Sequence, residues 1–86
     1  MIHKITLSKY EVSEDGKEHN EKFDSLEQAI EKMPKGKTLI AIYDIWFNDR
    51  TAVNQKEILE FAEIANLNQQ EIVELIKQKI VDKYNQ

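Results

Sequence analysis

The sequence predicts an α+β fold: a three-stranded, mostly antiparallel sheet in ββαβ order, followed by a C-terminal αα pair. Three observations carry this. The longest apolar run, residues 38–48, is rich in β-branched and aromatic residues and is bracketed by Pro34-Lys35-Gly36 and Asn48-Asp49-Arg50, which favours a strand over a helix. Two stretches before it, 2–12 and 17–23, read as strands joined by a turn signal. Two stretches after it, 54–65 and 69–84, carry the apolar spacing of amphipathic helices.

Alternation in 38–48 puts Thr38, Ile40, Ile42, Asp44, Trp46 and Asn48 on one face and Leu39, Ala41, Tyr43, Ile45 and Phe47 on the other. Both faces are mostly apolar, so this is the expected central strand, covered on both sides near its middle. In residues 2–12, Ile5 and Leu7 point one way and Tyr10 and Val12 the other, so the apolar face switches after Ser8. A bend or bulge at that point, or partial cover on both faces, accounts for the switch. Ser13-Glu14-Asp15-Gly16 is a turn signal, and 17–23, apolar only at Phe23, has the short, charged character of an edge strand.

Asp24 and Ser25 open a first helix, with Ser25 and Gln28, or Asp24 and Glu27, as its capping box. Leu26, Ala29, Ile30 and Met33 form its buried stripe, and Pro34 ends it. After a short connection over 50–53, Asn54 caps the second helix, with Ile58, Phe61, Ala62 and Ala65 inward. Asn66 supplies the left-handed residue that stops it, and Asn68 caps the third helix, which turns Ile72, Val73, Leu75, Ile76, Ile80, Val81 and Tyr84 inward. Ile40, Ile42, Ile45, Phe47, Leu26, Ile30, Phe61, Ile72 and Ile76 are the expected core.

Eighty-six residues are the length of one domain, spanning 1–86, with a modest core. There is no cysteine, which excludes a disulfide scaffold and a thiolate zinc site, and His3 and His19 stand far apart. No signal-peptide pattern and no membrane-length apolar run is visible, so a cytoplasmic chain without a membrane association is expected. No cofactor or metal is implied by any motif: there is no phosphate-cradling glycine loop and no HExxH.

The net charge of −4 maps to residues 11–24, where Glu11, Glu14, Asp15, Glu18, Glu21 and Asp24 face Lys17 and Lys22, six against two. Such a patch argues against nonspecific nucleic-acid binding and suits a basic protein partner, with Glu11, Glu14, Asp15, Glu18 and Glu21 as the contacting residues. An exposed hairpin kept soluble by its charge gives the same pattern. Asp44, the only charge in the apolar run, is a candidate general acid or base, or a structural residue at a strand end. Tyr43, Trp46 and Phe47 form a cluster that stacks on a ligand or packs the core, with Arg50 the only base near them in sequence.

Residues 61–72 resemble the helix-turn-helix of bacterial and phage repressors: the small Ala62, the turning Asn66, the apolar Leu67, the capping Asn68 and the inward Ile72 stand in the family's pattern. The resemblance spans residues 57–76 and implies that Gln69, Gln70 and Glu71 face DNA bases. Glu71 and Glu74 precede the first lysine of that helix, Lys77, a sign that phosphates oppose. The size, the acidic hairpin and the lack of catalytic motifs resemble the small accessory proteins of bacteria, phages and mobile elements. The expected function is therefore a non-catalytic, regulatory protein acting by protein–protein contact, with a DNA-binding regulator second and an enzyme third.

Overall fold

The computed structural model describes residues 1–14, 19–33 and 37–85. Among them the class is α+β, as the sequence predicts, but the sheet has four strands. They are β1 (Ile2–Ser13), β2 (Glu21–Phe23), β3 (Thr38–Phe47) and β4 (Thr51–Glu60), all antiparallel in the order β2-β1-β3-β4. Helix α1 (Leu26–Glu31) lies between β2 and β3, and a single turn, α2 (Phe61–Ile64), leads to the long α3 (Gln69–Tyr84).

The main correction falls on 54–65, expected as a helix. Residues through Glu60 are strand instead, and only 61–64 are helical. Ile58, Leu59, Phe61 and Ala62 hold the i, i+3, i+4 spacing of a helix rather than a strand's alternation, so local pattern favours the helix that does not form. The edge of β3 decides: its backbone groups need partners, and Asn48-Asp49 is short enough to fold the chain straight back. The Phe47 N–H donates to the Arg50 carbonyl at 2.7 Å, closing that hairpin. The C-terminal αα pair is thus one turn plus one long helix. Asn66 does not take the left-handed conformation, since Asn54 is the only non-glycine with positive φ among the described residues, and the turn closes by Leu67 N–H to Ile64 C=O at 3.1 Å.

The switch in β1 is a bulge at Ser8. Pairing with β3 jumps between Leu7 and Lys9, and the unpaired Ser8 donates its hydroxyl to the Ile42 carbonyl at 3.1 Å. One extra residue reverses every later side chain. Leu7, Tyr10 and Val12 therefore point to one face, while Lys9 and Glu11 point to the other. The edge strand expected over 17–23 is present only at Glu21–Phe23, with 15–18 outside the described residues, and the Ser25 cap matches its expectation, its Oγ accepting from the Gln28 N–H at 3.2 Å. Asn68 and Glu71 form a reciprocal capping box on α3, with bonds of 2.8 and 3.0 Å.

The core lies on one face of the sheet. Tyr10, Val12, Leu39, Ala41, Tyr43, Ile45 and Leu59 meet Leu26 and Ala29 of α1 and Ile72, Ile76 and Ile80 of α3. Of the expected core, Leu26, Ile40, Ile45, Ile72 and Ile76 are buried, whereas Ile30, Ile42, Phe47 and Phe61 are half-buried. The cover expected on both sides of β3 is unequal: α1 and α3 contribute to the cluster on the Leu39–Ile45 side, while on the other side Ile40 is buried and Ile42, Asp44 and Trp46 are half-buried. Tyr84 fastens the end of α3 to that side, with its hydroxyl 3.4 Å from that of Tyr43 and its ring edge-on to Phe47, centroids 5.5 Å apart.

Candidate functional site

The feature left for function is the other face of the sheet. Cross-strand partners share a face, so the register builds it row by row. Lys4, Trp46 and Thr51 form one row, Thr6 and Asp44 the next, then Lys9, Ile42 and Lys56, then Lys22, Glu11, Ile40 and Ile58. Ile42 thus has a lysine on each neighbouring strand. Lys9 belongs to this face only because of the Ser8 bulge.

Half-buried Trp46 and Ile42, together with Ile58, which is 53% exposed, make an apolar stripe along β3 and β4. Lys4 Nζ lies 5.3 Å from the Trp46 ring centroid, a cation–π distance. Lys4, Lys9, Lys22 and Lys56 are exposed, and none forms a salt bridge among the described residues. The carboxylates on this face are all engaged within the chain. Glu11 accepts from Asn20 Nδ2 at 3.0 Å, Asp44 from the Asn54 N–H at 2.9 Å, and Glu60 from the Thr38 hydroxyl at 3.4 Å.

The acidic residues singled out in the sequence are not brought together as an open patch. Glu11 is 6% exposed on the face opposite the core and accepts a hydrogen bond from Asn20. Glu14 pairs with Lys37 at 3.1 Å. Glu21 is exposed on the edge strand, while Asp15 and Glu18 lie outside the described residues. Asp44 is explained structurally. It opposes Val53 and Asn54, where β4 carries one residue more than β3, and its bond to the Asn54 N–H holds the positive φ of 54°. Tyr43 and Phe47 belong to the core side, so Trp46 alone of the aromatic cluster faces out.

The helix-turn-helix resemblance loses its first helix to β4, and α2 is a single turn. Gln69, Gln70 and Glu71 are exposed at the start of α3, but Glu71 is held in the capping box and Gln70 Nε2 donates to Glu74 at 3.2 Å.

Shifted ionisation lies away from the open face. Burial, then the Tyr84 hydroxyl, raise the Tyr43 phenol well above its usual range, and burial alone raises Tyr10. Glu63 is lowered by Lys79, 2.7 Å away, and by the Glu60 N–H. An apolar cleft of about 110 Å³ opens between α1 and the turn into α3, lined by Ile30, Met33, Phe61, Ile64, Ala65, Leu67 and Ile72. No side chain there carries polar chemistry. Among the described residues no acidic or histidine cluster could hold a metal ion, and no helix is long and apolar enough to cross a membrane. No family model, curated protein or solved structure matches the chain.

Proposed function

We propose that this chain is a non-catalytic, regulatory interaction protein that binds a protein partner through the uncovered face of its sheet. The observation that carries the reading is the composition of that face. Ile58 stands opposite Ile40 and next to the row of Ile42, Trp46 lies further along β3 beyond Asp44, and lysines without ion pairs among the described residues stand around them. Aromatic and aliphatic anchors within a charged surround are what a protein interface needs. The acidic segment 11–24 is better read as solubilising, since Glu11 and Glu14 are engaged within the chain.

Replacing Ile58 by Asp tests this. Its side chain is exposed, so the fold is retained, which circular dichroism checks. Association with the partner in an extract of the source organism should fall by about tenfold or more, as for loss of a central anchor. Glu74→Lys, on the exposed side of α3, should leave it unchanged. The reverse pattern would move the interface to α3 and overturn the reading.

A further inference from the structure

We infer that the occupant of the open face is an acidic amphipathic helix of a partner protein, its apolar stripe on Trp46, Ile42 and Ile58 and its carboxylates beside Lys4, Lys9 and Lys56. This rests on the function proposed above and names the chemistry of the partner.

The dimensions fit. Residues 40–46 of β3 run about 20 Å at a strand's rise per residue. About 13 helical residues, between three and four turns, cover the same length. The apolar residues run along β3 as Ile40, Ile42 and Trp46, interrupted by Asp44 and widened by Ile58 on β4, and are bordered by Lys4 and Lys9 on β1 and by Lys56 on β4. A helix laid along β3 presents one apolar stripe with two polar shoulders, and here both shoulders meet lysine. The lysines have no anionic partner among the described residues, whereas the carboxylates of the same face are each hydrogen-bonded. The face therefore carries four lysines without ion pairs among the described residues against three hydrogen-bonded carboxylates, an excess of positive charge.

Two other occupants fit less well. Single-stranded nucleic acid needs stacking platforms, and this face has one aromatic against Ile40, Ile42 and Ile58. A second copy of the chain, face to face, sets lysine against lysine. Its α3 is no substitute, because Ile72, Ile76 and Ile80 are already buried in the core.

Trp46 is the sole tryptophan, so its fluorescence reports on this face alone. The full chain is titrated with three probes. One is a helical peptide of about 16 residues, with leucines on one stripe and glutamates on both shoulders. The second has the glutamates replaced by lysines, and the third is an oligothymidylate. The Leu/Glu peptide should shift Trp46 emission to the blue. The variant Lys9→Glu/Lys56→Glu, altered at two exposed positions, should bind it about tenfold more weakly and gain affinity for the Leu/Lys peptide. Equal binding of both peptides to the unaltered chain overturns the inference while leaving the docking face in place. So does a Trp46 response to oligothymidylate alone, which makes the face a nucleic-acid surface. So does self-association, in sedimentation, that Ile58→Asp abolishes. No response of Trp46 to any probe, with no self-association, overturns both the inference and the reading it rests on.

Discussion

Asp44 and Tyr43 are neighbours on β3 with opposite surroundings, and both carry testable consequences. The Asp44 carboxylate accepts from the Asn54 N–H at 2.9 Å, so its role is to hold a bulge. Asp44→Ala should cost about 1 kcal/mol in a denaturant titration, as for a lost hydrogen bond that leaves a donor unmatched. Asp44→Asn keeps an acceptor and should cost less. Tyr43 is fully buried, and its hydroxyl lies 3.4 Å from that of Tyr84. Burial raises its phenol above the unfolded value of about 10, so the protonated form stabilises the fold. That contribution is complete below pH ~10 and is lost as pH rises toward the folded value. Alkaline unfolding, followed by tyrosinate absorbance, should therefore start above about pH 10 and move upward in Tyr43→Phe, which removes the buried titrating group. Glu63 has the opposite sign: its lowered value gives stability that is present above the usual carboxylate range and lost as pH falls through the folded value. Its exposed position makes that term small.

Strand β4 and the Ser8 bulge decide how the elements assemble. If 51–60 is strand, Leu59 is core and Ile58 is surface, consistent with exposures of 0% and 53%. If 54–65 were helix, Ile58 would lie on the buried stripe and Leu59 at its margin. Leu59→Ala should thus cost about 2–5 kcal/mol and Ile58→Ala well under 1, measured by denaturant unfolding. Deleting Ser8 should be worse than any point change here. It would turn Tyr10 and Val12 out of the core and Lys9 and Glu11 in, and thermal unfolding should show loss of the native transition. The local devices were legible in sequence: the bulge from the switch after Ser8, the edge strand from its charge, and the caps from Ser25 and Asn68. The identity of β4 was not. Its apolar spacing is helical, and the deciding term is the unpaired edge of β3, a tertiary fact.

At the scale of the whole molecule the charge is divided. The net charge is −4, yet the open face carries Lys4, Lys9, Lys22 and Lys56 against Glu11, Asp44 and Glu60, four against three. These lysines come from three strands, so no local window shows them together, and only the register unites them around Trp46 and Ile42. That is why sequence reasoning found one base near the aromatics and placed the partner surface on the acidic hairpin. Association through this face should slow as salt rises, because charges in solvent are screened over about 8–10 Å at physiological ionic strength. The central claim is that the uncovered sheet face is where the partner binds. Site-specific photo-crosslinking tests it most directly, with a benzophenone side chain at position 58 on the face or at position 74 on the exposed side of α3. Covalent partner adducts should form from position 58 and be absent from position 74. Adducts from position 74 with none from position 58 would contradict the claim.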